Sequence, residues 1–164
     1  QTYFEATETP PEGVFAACVA EVYVDTETGQ IDVRKLNTVH DVATILNPVN
    51  HQGQIDGGIM QGVGYALMEE LTMEEGKVIT ANLGEYKIPT VKDVPVLQTT
   101  LVPGGPGASP FQSKEIGESA ISQVAPAIAN AVFDAVGVRI TDMPITAEKV
   151  LFALRALKCG GKAD

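Results

Sequence analysis

Glu118 is the residue of this chain that is best placed to act as a general base. It stands between Gly117 and Ser119, after a loop rich in proline and glycine and at the start of a segment with a helical pattern. The helix dipole and free backbone amides stabilise a carboxylate at such a position as an anion, whereas burial raises its pKa toward that of a useful base. The pattern leaves two functions open: a base in catalysis, or a capping charge at the start of a helix.

A second candidate surface lies on a helix predicted to follow Asn47-Pro48. Apolar residues recur there at every fourth position, which indicates an amphipathic helix that ends near Gly76: Ile55, Ile59, Val63, Leu67 and Leu71. Five glycines interrupt this helix: Gly53, Gly57, Gly58, Gly62 and Gly64. Each glycine costs about 1 kcal/mol relative to alanine inside a helix, so some interaction must offset that cost.

Two amide side chains lie on nearly the same side of this helix. Gln54 and Gln61 are separated by about two helical turns. The sequence leaves two explanations open for the glycines beside them. Either the helix packs tightly against a neighbour and the glutamines are solvated, or the backbone approaches a cofactor whose edge an amide holds.

The histidines and cysteines predict no metal site. His40 and His51 are not at the spacing of a metal-binding pair, and Asp41 lies on the opposite strand face from His40, so we interpret both histidines as structural or surface residues. Cys18 and Cys159 lie far apart and have no nearby histidine at ligand spacing. This pattern excludes a zinc site or an iron–sulfur cluster built from this chain alone and predicts two free or buried thiols.

The elements that must position these residues are mixed. Apolar, β-branched runs predict three strands, the first two forming a hairpin: Val14 to Val24, Ile31 to Val42, and Val96 to Val102. A proline-containing lead at Pro10 and Pro11 precedes them. The loop from Gly104 to Ser109 lacks the Lys-Ser/Thr pair of a phosphate-binding P-loop, so we expect a surface or gating loop there.

The second half of the chain predicts a helix, a strand and a final helix. The first of these helices runs from Ser119 to Val136, with Pro126 either kinking it or opening its main part and Gly137 ending it. Thr146 is the expected N-cap of the last helix. Together the elements predict one α+β unit of mixed strands and helices.

Composition narrows the class of protein. The 164 residues suffice for one domain or part of one, and the apolar fraction of 45% and charged fraction of 20% are ordinary for a globular protein. A net charge of -10 argues against nucleic acid as a partner, since binding to phosphates normally needs a basic surface. No apolar run approaches the roughly 18 residues of a membrane span, and sparse cysteine predicts a reducing, cytoplasmic location.

Three segments together resemble the molybdenum hydroxylases of the xanthine dehydrogenase and aldehyde oxidase family. They are His40-Asp41-Val42 through Asn47-Pro48 into GQIDGGIMQGVGYALMEEL (Gly53 to Leu71), then EYKIPTVKDVP (Glu85 to Pro95), then SKEIGES (Ser113 to Ser119). Their order and spacing are similar to those of the family over nearly the whole chain. The resemblance implies that residues 1–164 are the C-terminal portion of a larger molybdopterin-binding domain.

The resemblance also implies roles for individual residues. Such enzymes hydroxylate an electron-poor carbon of an N-heterocycle or aldehyde with water-derived oxygen, using a molybdenum–pterin cofactor that in some members is a dinucleotide. The family's catalytic glutamate corresponds to Glu118, Gly117 would allow close approach to the metal, and the pterin-contacting glutamine corresponds to Gln61. No residue of this chain is expected to ligate the metal directly.

Two positions depart from the family pattern. Glu115 stands where a small residue is usual, and Ala43 stands where glycine is common. On an extended loop we expect the side chain of Glu115 to point to solvent, and Lys114 has no assigned role.

The resemblance further implies partners. The rest of the pterin pocket, iron–sulfur clusters and usually a flavin would come from other segments or subunits, and the chain should be inactive alone. The alternative function is a noncatalytic binding or assembly module that retains the fold and uses its acidic surface to hold a partner.

Overall fold

A computed structural model describes residues 13–160 of the chain. The predicted lead at Pro10 and Pro11 lies outside the described residues. In chain order the elements are β1 (Ala16–Val24), β2 (Ile31–Asp41), α1 (Pro48–Leu67), β3 (Met73–Glu74), β4 (Lys77–Val78), a 3-10 turn (Val91–Asp93), β5 (Val96–Val102), α2 (Val124–Val136) and α3 (Ala147–Lys158). The predicted α+β class, the hairpin and the third strand are confirmed.

The sheet has the order β1-β2-β5, with β2 antiparallel to β1 and parallel to β5. The β1–β2 hairpin is closed by a turn in which the carbonyl of Asp25 accepts a hydrogen bond of 2.7 Å from the N–H of Gly29. Gly29 has a φ of 78°, in the left-handed region that favours glycine, and its α-carbon lies against the backbone of Ala147. This close approach joins the hairpin to the start of α3.

The two faces of the sheet differ in burial. On the inner face, Leu36, Thr38 and His40 of β2 are buried, whereas Val19 and Tyr23 on the outer face of β1 are 66% and 57% exposed. Strict alternation of this kind follows from the two-residue period of a strand. All three strands therefore contribute one side to the core and leave the other uncovered within the described part of the chain.

The helices cover the inner face. α2 packs against β1 and α1 packs against α2. Their apolar faces form the core together with residues of the sheet, of α3 and of the segment before α3: Ile55, Ile59, Val63, Ala66, Val124, Ile128, Val132, Val138, Ile145 and Val150, all at most 2% exposed. No helix among the described residues combines the length and apolar character needed to cross a bilayer.

α1 begins as predicted and ends earlier than predicted. Asn47 caps its start by accepting a hydrogen bond from the N–H of Asn50, and Pro48 is the first helical residue. The prediction of an end near Gly76 is wrong, because α1 ends at Leu67 and Leu71 is 62% exposed. The backbone turns at Met68 and then forms the short β3–β4 hairpin, so the spacing of Leu71 coincides with the helical period without belonging to it.

α2 starts later than predicted. It begins at Val124, and hydrogen-bonded turns occupy residues 117–123. Pro126 therefore lies in the first helical turn, where a missing N–H is tolerated, and its ring would clash with the carbonyl of Ser122 if the helix continued backward. Pro126 opens the helix, and Gly137, with a φ of 75°, ends it as predicted.

The strand predicted between α2 and α3 is wrong, because residues 138–146 contain no strand. Instead the N–H of Ile145 donates a hydrogen bond of 2.6 Å to the carbonyl of Ala66 in α1. The segment thus uses its backbone to hold a helix rather than to extend a sheet. Thr146 then caps α3 as predicted, accepting a hydrogen bond of 3.2 Å from the N–H of Lys149.

Candidate functional site

The glycines of α1 divide into two groups. A Cβ built on Gly58 would lie 2.7 Å from the Cβ of Ala120, and one on Gly62 would lie 2.6 Å from the Cβ of Val124. Real Cβ atoms do not come so close, so these two glycines permit the contact of α1 with residues 120–124. By contrast, a Cβ on Gly53 or Gly57 would have no neighbour within 4 Å. Tight packing explains the first pair, and the second pair leaves exposed backbone.

The exposed side of α1 carries polar groups beside that open backbone. Gln54, Gln61 and Tyr65 are exposed, and the amide nitrogen of Gln61 donates a hydrogen bond of 3.3 Å to the hydroxyl of Tyr65. The amide oxygen of Gln61 keeps both of its lone pairs for a further partner. An amide next to helix backbone without side chains suits the edge of a flat, polar group.

Glu118 lies in the run of turns before α2. Its N–H donates a hydrogen bond of 2.7 Å to a carboxylate oxygen of Glu115, and its carbonyl accepts one of 3.2 Å from the N–H of Ile121. The side chain of Glu118 is exposed. Because α2 begins only at Val124, Glu118 is not at the start of a helix, and the interpretation of this residue as a helix cap loses its premise.

Glu115 has a contact that the sequence did not predict. Its side chain is exposed, in agreement with the expectation of a solvent-facing residue. However, its carboxylate also accepts the hydrogen bond from the N–H of Glu118, three residues later. This bond holds the backbone of Glu118 and needs only an acceptor oxygen at position 115.

The packing of α1 brings the two candidate regions to one crossing. Gly58 contacts Ala120, Gln61 follows Gly58 by three residues, and Glu118 precedes Ala120 by two. Ser119, next to Glu118, has a buried hydroxyl with no hydrogen-bond partner within the described residues. A buried hydroxyl normally has a partner, so this atom is free to bind a group from outside the chain. These features fit an oxygen- and nitrogen-rich cofactor.

Lys114, which received no role from the sequence, forms a nearly buried ion pair. Its Nζ lies 2.6 Å from Oδ2 of Asp41, the last residue of β2, and donates a second hydrogen bond of 3.1 Å to the carbonyl of Gly13. The side chains of Lys114 and Asp41 are 6% and 14% exposed. The only sequence signal was a lysine inside the segment that carries Glu118, with an acidic residue at a predicted strand end.

Ala43 explains one departure from the family pattern. Its φ is 50°, in the left-handed region that costs a residue with a Cβ about 1–2 kcal/mol. Ala43 forms an isolated β-bridge with Ser113, next to Lys114. Glycine would adopt this conformation without strain, which is a physical reason for glycine at this place in related chains.

The histidines and cysteines show no metal centre among the described residues. His40 is fully buried on the inner face of β2, as a structural residue, and both of its ring nitrogens lack a hydrogen-bond partner there. Burial, with a smaller contribution from His51, lowers the pKa of His40. Cys18 and Cys159 are free thiols as predicted, and burial raises the pKa of Cys18 to about 11, so that it stays a thiol at neutral pH.

A cavity of about 480 Å³ lies elsewhere, between β2, the end of α1 and the segment before α3. Val33, Val63, Lys92 and Ile145 are among the residues that line it, and neither Glu118 nor Gln61 does. The cavity and the two candidate residues are therefore separate features. Glu118 and Gln61 lie on open surface, as expected for one wall of a site whose other walls come from elsewhere.

Comparison with known proteins gives a consistent result. Residues 1–95 match the model of the molybdopterin cofactor-binding domain. The chain is 36% identical over 143 residues to the aldehyde oxidoreductase molybdenum-binding subunit PaoC of Escherichia coli, covering 85% of the chain and 20% of that protein. It is 39% identical over 140 residues to a nicotinate dehydrogenase of Pseudomonas putida, covering 85% of the chain and 12% of that protein.

Solved structures agree with the sequence matches. The aldehyde oxidoreductase of Desulfovibrio gigas superposes with a TM-score of 0.80 at 34% identity, over 87% of this chain and 16% of that one. Quinoline 2-oxidoreductase of Pseudomonas putida 86 superposes with a TM-score of 0.76 at 34% identity, over 82% of this chain and 18% of that one. The chain thus spans a fifth or less of the length of these relatives.

Proposed function

Because the chain belongs to the molybdopterin cofactor-binding domain family of the molybdenum hydroxylases, we propose that it supplies one wall of the molybdenum–pterin pocket and the base of the hydroxylation reaction. The observation that carries this proposal is the contact of Gly58 with Ala120. Through it, the exposed amide side of α1 and the turn that holds Glu118 flank one crossing, so that a single cofactor would meet both.

The residues divide the work. When bound, the cofactor supplies the metal that accepts two electrons from the substrate carbon and activates water. Glu118 takes the proton released from the attacking oxygen, a task for which a carboxylate within hydrogen-bond reach is suited. Gly117 has no side chain to obstruct the approach of the metal centre to that carboxylate. Gln61 binds the pterin edge, and the open backbone at Gly57 lets the pterin lie close to α1.

The substrate class follows from relatives rather than from this chain. The names of the similar proteins indicate action on aldehydes and on nicotinate and quinoline, which are N-heterocycles. We assign the same class to the complete enzyme: an electron-poor carbon of an N-heterocycle or an aldehyde. Residues that orient the substrate would come from the part of the enzyme that this chain does not cover.

The chain acts in this proposal as part of a larger assembly. Since it spans a fifth or less of the relatives, the remaining pocket walls would come from the rest of a molybdenum-binding subunit. Iron–sulfur and flavin groups would be carried by further domains or subunits, because Cys18 and Cys159 cannot hold a cluster between them. A pocket normally encloses most of a bound ligand, so this chain alone should bind the cofactor weakly.

The metal and pterin content of the native complex tests this function. We expect a complex purified through a tag on this chain to contain about one molybdenum and one pterin per chain, since the family site holds a single cofactor. Metal analysis of the acid-digested sample and fluorescence of the oxidised pterin measure the two quantities separately. Absence of both would contradict the proposal and support the noncatalytic assembly module.

Replacing Gln61 by alanine should weaken retention of the cofactor. A pterin edge buried beside α1 would lose a hydrogen-bond partner, which costs about 1–3 kcal/mol and corresponds to about 5- to 150-fold weaker binding. The rate of pterin loss from the assembled complex after dilution measures the effect. Gln54→Ala, on the same exposed side of α1, is the matched variant: normal retention in Gln61→Ala together with a large loss in Gln54→Ala would refute the assignment to Gln61.

A further inference from the structure

The ion pair of Lys114 and Asp41 joins three parts of the chain at one point. Asp41 ends β2, and its N–H donates a hydrogen bond of 2.8 Å to the carbonyl of Phe15, before β1. Lys114 adds its bond to the carbonyl of Gly13, and Gly104 of the loop after β5 lies against the carboxylate of Asp41. The end of the sheet, the approach to β1 and the loop after β5 are therefore held together by one ammonium group.

Net stability is a poor explanation for this pair. Removing two charges from water is costly, and the attraction between them does little more than offset that cost, so that buried pairs often stabilise a fold no better than apolar residues of similar size. What a buried pair does enforce is one arrangement. Any slip of the segment that separated Lys114 from Asp41 would leave two uncompensated charges in a mostly buried place.

The segment that carries Glu118 is fixed at both ends. At one end, Lys114 is tied to Asp41, and the neighbouring Ser113 bridges Ala43. At the other end, Ala120 is packed against Gly58 of α1. Only residues 115–119 lie between these two fixed points, and the hydrogen bond from the N–H of Glu118 to Glu115 restrains them further.

We propose that Lys114 and Asp41 form a positioning pair that sets where the carboxylate of Glu118 stands relative to α1. The inference rests on the proposed function in one respect, the role of Glu118 as the base. Because Asp41 neutralises the ammonium group at 2.6 Å, Lys114 acts on Glu118 through the backbone and not as a free positive charge. Lys114 and Asp41 are thus positioning residues and not catalytic ones.

The test uses a double substitution that removes both charges together. Lys114→Met alone would leave Asp41 buried and unpaired and could prevent folding, whereas Asp41→Leu/Lys114→Met replaces the pair with apolar side chains. In the double variant of the full chain we expect amide hydrogen exchange of residues 115–119 to accelerate by about tenfold or more, while exchange in the core of α1 stays unchanged. Lys114→Arg, which keeps the charge, should restore most of the protection.

In the cofactor-loaded enzyme, the same double variant should reduce kcat by about 10- to 100-fold with KM little changed, since displacement of a reacting group by about 1 Å has effects of this size. The matched control is Asp32→Leu/Arg34→Met, which removes an ion pair of 3.0 Å whose side chains are more than half exposed. It should change neither exchange at 115–119 nor kcat.

The outcomes separate this inference from the proposed function. Unchanged exchange at residues 115–119 in Asp41→Leu/Lys114→Met overturns the positioning role, whatever happens to kcat. Faster exchange with an unchanged kcat also overturns it, provided that Glu118→Gln lowers kcat in the same enzyme. If Glu118→Gln has no effect on kcat, the proposed base is wrong, and a positioning pair for a base is overturned with it even though the exchange data still describe how the segment is held.

Discussion

Replacing Glu118 by glutamine should abolish most of the turnover of the assembled enzyme while leaving its cofactor in place. Glutamine keeps the size and hydrogen-bonding reach of the side chain but cannot take a proton. Removing a general base commonly lowers the rate by about 10²–10⁴. The measurement is kcat of the cofactor-loaded complex, with molybdenum and pterin determined on the same preparation so that a loss of rate is not a loss of cofactor.

Glu115→Gln is the matched control for this experiment. It removes a carboxylate three residues away yet retains the acceptor oxygen that the N–H of Glu118 needs, so turnover should stay within a small factor of the unsubstituted enzyme. A complex with Glu118→Gln that holds its cofactor and hydroxylates at a near-normal rate would show that Glu118 is not the base. Equal losses in the two variants would instead indicate a general effect of negative charge near the site.

Substituting valine for Gly58 should destabilise the fold by more than any helix propensity explains. A Cβ at Gly58 would already lie 2.7 Å from the Cβ of Ala120, which is fully buried, and valine adds two further methyl groups. Overpacking of a close contact typically costs about 1–3 kcal/mol, and we expect the upper part of that range. Propensity alone would slightly favour valine over glycine. The midpoint of urea unfolding, at unchanged slope, measures the loss.

The adjacent glycine provides the control. Gly57 is on the same helix but has no neighbour within 4 Å of a built Cβ, so Gly57→Ala should raise the free energy of unfolding by up to about 1 kcal/mol. Loss of stability in both variants would mean that the helix tolerates no side chain at either position. A change below about 1 kcal/mol in Gly58→Val would show that the contact with Ala120 yields easily.

The elements with a strong local pattern were predictable from the sequence. The β-branched runs of the three strands gave positions that agree with the structure to within two residues, and Asn47-Pro48 marked the start of α1. The ends of α1 and α2 were not predictable in the same way. The apolar period continued past Leu67 by coincidence, and the exclusion of residues 119–123 from α2 follows from the ring of Pro126, whose position in the helix the sequence left open.

The candidate site was predictable only in part. The segment around Glu118 and the glycines of α1 could be found as motifs, but the sequence did not separate the glycines that pack from the glycines that stay open. That distinction depends on which residues of another segment meet them, as with Ala120 and Gly58. The ion pair of Asp41 and Lys114 lay beyond any local pattern, because 73 positions separate its members.

The parallel pairing of β2 with β5 has a consequence for the order in which the chain folds. The β1–β2 hairpin is local and can form early, but β5 reaches β2 only after α1 and the β3–β4 hairpin have been made and the intervening chain has closed. Closing a long loop is opposed by an entropy that must be overcome before the contact stabilises anything, and such non-local pairings slow folding. Asp41 and Val102 stand side by side at the end of that pairing. The geometry around Glu118 is therefore completed in the last and slowest stage of folding, and an enzyme assembled too quickly from newly made chains would contain molecules with intact helices and an immature active centre.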